Sequence, residues 1–438
     1  MDKRRLVILG GCVVAGIAAW AFAPGPIAPL AGLITLCLAL WLCEILPPFA
    51  PTLLLLAVAP LVLPGRAATL AVKSTLAWTA DPVLALFFGG LAAGAAARKH
   101  KLDERIARLL IEKSGGSPRR LVALLMAGTA LLSMWMSNVA AAAMMVGGAR
   151  PALEKLSNSY GRREALVGLA MAANLAGMST PVGSGPNGIA IAALDERVHL
   201  TFSTWVLFGL PLSAGLILLT YWFVQRRLPR TPIDLARGTP PVPLGMGAKF
   251  TILAMVSAIS LWLGEPLFGV PAPIVSLALA TFLFVTGGLD ADDIRALDWS
   301  TLLLIAGGVL LGRLIESTGL LEVAAAHVQT SAISPLSIRL LLCAAAACLA
   351  ALMSNTGTTA LLVPIALRID PSPAAPVLVA ISASLGVPFV ISTPPNAMVV
   401  GEGVRGRELL GIGLVIMLGG VILVALTGPY VLALFGLR

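Results

Sequence analysis

The chain has 438 residues, 58% of them hydrophobic and only 12% charged, with a formal net charge of +9 at pH 7. Soluble domains carry roughly 25% charged residues, so this composition excludes a globule surrounded by water. In a chain this apolar the surplus of Lys and Arg reports loop orientation in a membrane rather than nucleic-acid binding.

At the N-terminus, MDKRRLVILGGCVVAGIAAWAFAPGP has the basic start and apolar core that signal peptides share with first transmembrane helices. No clear A-x-A site precedes Pro24, so the reading is a helix with Lys3, Arg4 and Arg5 on the cytoplasmic side. Spanning helices need ~20 predominantly apolar residues. Apolar segments recur over 6–22, 27–46, 52–63, 82–97, 202–224, 250–263, 273–288, 302–315 and 409–435. The expected fold is all-α and polytopic, with about 11 transmembrane helices and two re-entrant helical hairpins. Cys12, Cys37, Cys43, Cys343 and Cys348 all fall in apolar segments without metal-ligand spacing, which predicts packing roles.

Two interior runs break the apolar pattern. LLSMWMSNVAAAAMMV (131–146) carries Ser133, Ser137 and Asn138, and ALMSNTGTTALLVPI (351–365) carries Ser354, Asn355 and Thr356. An unpaired amide or hydroxyl in hydrocarbon costs several kcal/mol, so these groups are expected to line a cavity. If each run crossed the membrane once, Arg150, Lys155, Arg162 and Arg163 would change sides and break the basic-residue bias. The bias therefore favours hairpins that turn at membrane depth.

The pattern repeats. Gly89-Gly90 and Gly94 correspond to Gly307-Gly308 and Gly312, Ser137-Asn138 to Ser354-Asn355, and Asn187 to Asn396, in the same order and at nearly constant separation. The chain thus divides into a first half over 1–224, a polar Pro-rich linker over 225–249 read as cytoplasmic, and a second half over 250–438. The first half holds a hairpin at about 119–155 and a broken helix at about 163–195; the second holds a hairpin at about 336–368 and a broken helix at about 374–402. The breaks follow from Pro181, Gly183, Gly185 and Pro186, and from Pro388, Pro394 and Pro395. Entry of the two hairpins from opposite sides gives the inverted-repeat architecture of secondary transporters. Carbonyls and helix C-termini at such breaks suit a cation, and N–H groups at helix N-termini suit an anion.

These motifs resemble the divalent anion:sodium symporter (DASS) family of the ion-transporter superfamily, over nearly the whole chain. Ser354-Asn355-Thr356 and Thr393-Pro394-Pro395-Asn396 match its hairpin-tip and helix-break motifs fully. The resemblance implies an elevator-type, multi-pass inner-membrane transporter of di- or tricarboxylates, usually a homodimer, with sodium as coupling ion and no other cofactor. It implies substrate contacts from Ser137, Asn138, Val139, Ser184, Pro186 and Asn187 in the first half. In the second half it implies contacts from Ser354, Asn355, Thr356, Thr393, Pro394, Pro395 and Asn396. One sodium site would use Ser133, Ser137, Asn138 and the Gly183 backbone; the other would use Ser354, Asn355 and backbone at Ala350, Met353 and Ser392. The chain departs from the pattern at three places: Val139 stands where Thr356 stands in the second half, Gly185 where Pro394 stands, and Ala350 where Ser133 stands in the first.

Other chemistry is weakly signalled. DADDIRALD (290–298) could suggest a metal-dependent transferase, but no second acidic motif faces it, and a solvated cytoplasmic loop is expected. His100, His199 and His327 lie near helix ends, as do Asp81, Arg313, Glu316 and Glu402. Few ionisable groups are expected in the interior, which argues against a proton antiporter; the alternatives within the superfamily are anion exchange, arsenite efflux and cation/proton antiport.

Overall fold

In the computed structural model, apolar runs become helices and Ser, Thr or Asp residues followed by Pro mark where they start. Residues 3–43, 45–47, 49–63, 68–156, 159–194, 198, 200–234, 243–318 and 334–437 are described. Asp81, Ser117 and Ser334 each precede a Pro at the first helical position and accept a backbone N–H from the turn above. Pro is favoured there because its missing N–H would have no intrahelical partner.

Helices α1 (Lys3–Phe22) and α2 (Ala28–Cys43) pack together, and α3 (Ala50–Val62), α4 (Ala68–Thr79) and α5 (Pro82–Lys99) follow. The sequence reading leaves no helix between Leu63 and Pro82, yet α4 lies there. Its lower hydropathy, with Lys73, Ser74 and Thr75 in the middle, hides it among loop residues. Amphipathic α6 (Leu102–Ser114) leads into α7 (Pro118–Ser133) and α8 (Asn138–Glu154), then α9 (Ser159–Ala176), α10 (Gly185–Leu194) and α11 (Phe202–Gln225). In the second half α12 (Met246–Leu263), α13 (Glu265–Phe268), α14 (Ala272–Val285), α15 (Ala291–Arg295) and α16 (Trp299–Thr318) come first. They are followed by α17 (Pro335–Leu352), α18 (Asn355–Ile369), α19 (Ala374–Ser384), α20 (Pro394–Gly401) and α21 (Gly406–Ala433).

The protein is an all-helical polytopic membrane protein. Among the described residues seven helices are long and apolar enough to cross a bilayer, or eight if the bent pair Ala71–Thr79 and Pro82–Lys99 (41°) forms one span. The expected total of about 11 is not reached by single long helices. The other apolar helices, α3, α10, α14 and α19, are short. At about 20 Å, α3 falls well below the roughly 30 Å hydrocarbon thickness.

The order helix–tip–helix, helix–break–helix occurs twice: α7–α8 then α9–α10, and α17–α18 then α19–α20. The second arms cross over between the halves. α10 packs on α18 and α19, while α20 packs on α8 and α9. A separate apolar cluster joins α5, α12 and α14. There Trp135, Phe202 and Trp262 stack nearly parallel, with ring centroids 5.1 to 6.1 Å apart. This stack ties the first hairpin tip to α11 and α12.

Two carboxylates lie deeper than expected. Glu265 is buried and accepts N–H bonds from Phe202 (2.9 Å) and Ala272 (3.3 Å), so it caps two helix starts at once. Glu164 is buried and pairs with Arg227 at 2.9 Å. Both have partners that offset the cost of burying charge.

Candidate functional site

Each hairpin tip is a helix start. Ser137 caps α8 by accepting from the Ala140 N–H (3.3 Å), and Ser354 caps α18 by accepting from the Gly357 N–H (2.9 Å). Capping holds both serines in extended backbone, leaving the next two residues at the head of an N-terminus that favours negative charge. Asn138, Ser354, Asn355 and Thr356 are half-buried, and Val139 is 38% exposed.

The two tips differ in how their carboxamides are held. Buried Ser133 Oγ lies within hydrogen-bond distance of the Ala173 carbonyl (2.7 Å) and of Asn138 Oδ1 (2.9 Å), and its single proton serves one of them at a time. At the second tip Ala350 replaces that serine, and Asn355 Oδ1 is buried without a hydrogen-bond partner among the described residues.

The helix breaks are closed by their asparagines. Asn187 Nδ2 donates to the carbonyls of Gly177 (2.9 Å) and Thr180 (2.7 Å), and Asn396 Nδ2 donates to those of Val387 and Phe389 (both 2.9 Å). Both side chains are 0% exposed. Thr393 caps α20, and Ser392 donates to the Ala351 carbonyl at 2.8 Å, which ties the second break to the second hairpin. Thr180 donates likewise to the Met134 carbonyl at the first tip.

One loop touches both tips. A Cβ on Gly177 would lie 2.6 Å from Asn138 Oδ1, and a Cβ on Gly185 would lie 2.4 Å from Thr356 Oγ1. Between them, Gly183 sits against the Gly177 carbonyl, 2.5 Å from where its own Cβ would be. Only glycine permits such approaches. The first break therefore threads between the hairpins of the two halves, with Ser184 half-buried at its end.

The family model described as a citrate transporter matches residues 38–267 and 259–436. The chain belongs to the citrate transporter family. It is 31% identical to an uncharacterized transporter of Haemophilus influenzae, over 81% of this chain and 82% of that one. A sodium-dependent high-affinity dicarboxylate transporter of Caenorhabditis elegans is 26% identical, over 88% of this chain and 80% of its own. The low-affinity phosphate transporter PHO90 of Saccharomyces cerevisiae is 31% identical, over 50% of this chain and 25% of its own. Membership of a transporter family with dicarboxylate-transporting relatives places the resemblance to DASS-type transporters on independent ground.

Within this family member, Ser133, Asn138, Gly183 and Asn187 come together around the first break, and Thr356 reaches it from the second half. Ala350, Met353, Ser354, Asn355 and Ser392 form the corresponding region of the second half, with Met353 buried and Gly386 packed on the Ala350–Ala351 backbone. Pro186 and Pro395 are buried, whereas Pro394 is exposed. Three residues escaped sequence reasoning. Asn174 donates to Asn396 Oδ1 at 3.0 Å and links the two halves, and Gly177 and Thr180 position the first break. A lone amide in the apolar run AMAANLAG was the available signal for Asn174.

Several of the other charged groups are paired. Asp290 caps α15 in a capping box with Asp293, and Lys99 binds both carboxylates at 2.7 and 2.6 Å. The expected loop is thus a short capped helix, because Asp at its start satisfies its first N–H groups. Lys99 beside Asp290 lowers that carboxyl to about 2. Glu402 bridges Arg150 and Arg162, so it joins hairpin, broken helix and second half. Arg313 and Glu316 line a small cavity with α10 and α18 residues. His199 and His327 lie outside the described residues.

Proposed function

We propose that the protein is a secondary active transporter of organic anions of the di- or tricarboxylate class, coupled to sodium and working by alternating access of an elevator type. The observation that carries this reading is the glycine loop of the first break, which touches Asn138 of one hairpin and Thr356 of the other. It brings the Asn138 carboxamide of the first half and the Thr356 hydroxyl of the second, each at a helix N-terminus, to one loop. Neutral dipoles of both signs suit an anion and a cation bound side by side. Sodium, a hard cation, prefers oxygen ligands. Ser133 Oγ, Asn138 Oδ1 and the Gly177 carbonyl supply oxygens at the first half, and the unpartnered Asn355 Oδ1 supplies one at the second.

Proteoliposome uptake of labelled succinate, with an inward sodium gradient and with potassium in its place, tests the reading. Concentrative uptake only with sodium is expected. The match to a phosphate transporter favours a second reading, inorganic phosphate as cargo. Phosphate uptake that succinate does not inhibit would replace the first reading by the second.

A further inference from the structure

The two halves build their anion contacts unequally, and the inequality falls on the same side at both levels. Thr356, at the second tip, lies against Gly185 at the first break. This pairing supplies the Thr356 hydroxyl, the half-buried Ser184 hydroxyl and the Gly185 backbone N–H. The reciprocal pair is the first tip and the second break, which stand at the N-termini of two helices, α8 and α20, that pack together. Here Val139 replaces threonine and presents an exposed apolar side chain. At the break, Pro394 and Pro395 replace Gly185-Pro186, so the first two positions of α20 carry no N–H. The Asn396 N–H is turned back on the Thr393 carbonyl (3.1 Å), as the Asn187 N–H is on the Ser184 carbonyl (3.1 Å), so the breaks differ in the N–H that Gly185 keeps and Pro394 lacks. The Thr393 hydroxyl is buried and caps Asn396, unlike its half-exposed counterpart Ser184.

Resting on the carboxylate reading above, we propose that the site is single-headed. Ser184, Gly185 and Thr356 bind a required carboxylate. Asn138, Val139 and Pro394 form a donor-poor end that accepts an uncharged or apolar group. Val139 is the specificity-determining residue. The substrate class is therefore carboxylates whose far end need not be charged, such as monoamides and short monocarboxylates, together with dicarboxylates held by one end.

A carboxylate at the far end meets only the Asn138 amide and the α8 N-terminus, so its charge gains little over a neutral amide. Restoring a hydroxyl there should change this, because a hydrogen bond to a charged group shifts affinity by about tenfold. Val and Thr are nearly isosteric, and position 139 is exposed, so Val139→Thr leaves packing unchanged.

The test compares succinate with its monoamide, succinamate, as ligands of the purified full-length protein. Binding is read by thermal stabilisation in sodium, and transport by inhibition of labelled succinate uptake. Wild type should bind the two within about threefold of each other, Val139→Thr should prefer succinate by about tenfold, and Thr356→Val should lose both ligands. Rejection of succinamate by the wild type, or an unchanged ligand ratio in Val139→Thr, would overturn the proposal. Absence of stabilisation by either carboxylate overturns the parent reading instead, and this one with it.

Discussion

Four asparagines sit in equivalent pairs, and their surroundings separate two jobs. Asn187 and Asn396 are fully buried, and each gives both amide hydrogens to carbonyls of its own break. Removing either amide strands two carbonyls, at about 1–3 kcal/mol for each buried unsatisfied group. Asn138 and Asn355 are half-buried, and neither amide nitrogen closes a loop. Asn187→Ala and Asn396→Ala should therefore lower the melting temperature and yield. Asn138→Ala and Asn355→Ala should express near normally and lose succinate uptake. Size-exclusion profiles and thermal scans beside uptake measure both outcomes. Normal uptake in Asn138→Ala and Asn355→Ala, with unchanged sodium dependence, would remove the hairpin tips from the site.

At the level of elements, helix ends and breaks were the legible part of the sequence. Ser-Asn in an apolar run marked α8 and α18 because a capping hydroxyl has few uses inside hydrocarbon. Pro and Gly marked the breaks because they cannot continue a helix. What escaped were contacts between distant segments. Nothing in the sequence around Gly185 names Thr356 as its neighbour, and nothing around Trp135 names Phe202 and Trp262. Amphipathic or polar helices were also missed, α4 among them, where a hydropathy-led reading loses the signal. Segment α15 is another case. Its acidic cluster, expected as a solvated loop, is a helix cap paired to Lys99. The Lys99 ammonium holds Asp290 at about 2, below the ordinary carboxylate value near 3.9. A depressed folded-state value means that the pair's contribution is present above the unfolded value and is lost as pH falls toward about 2. Between pH 5 and 8 the cluster should thus add no titration step to stability. Thermal scans of wild type and Asp290→Asn should run parallel across that range, and a pH-dependent gap between them would contradict the assignment.

On the scale of the whole molecule, the remaining question is which face each hairpin enters from. α1 carries Lys3, Arg4 and Arg5 at its start, and Lys99 and Lys155 belong to the same basic set. If the short α3 carries the chain across together with α1, α2 and the bent pair α4–α5, Lys99 returns to the face of Lys3 after four passes. The first hairpin then begins and ends on that face, near Ser117 and Glu154. Lys155 there reaches the Asp234 carbonyl, and Ile233 donates to the Gly116 carbonyl at 2.8 Å, so the start of the linker is held on the same face. If the halves are inverted, the second hairpin's base, at Ser334 and Asp370, faces the opposite side. In a cysteine-free background, which removes the exposed Cys43 and Cys348, single cysteines at Glu154 and Ser372 provide the measurement. Glu154→Cys should react with an impermeant maleimide only in inside-out vesicles, and Ser372→Cys only in whole spheroplasts. Reaction of both from one side would mean that the two hairpins enter the membrane from the same face, and the inverted arrangement would have to be abandoned.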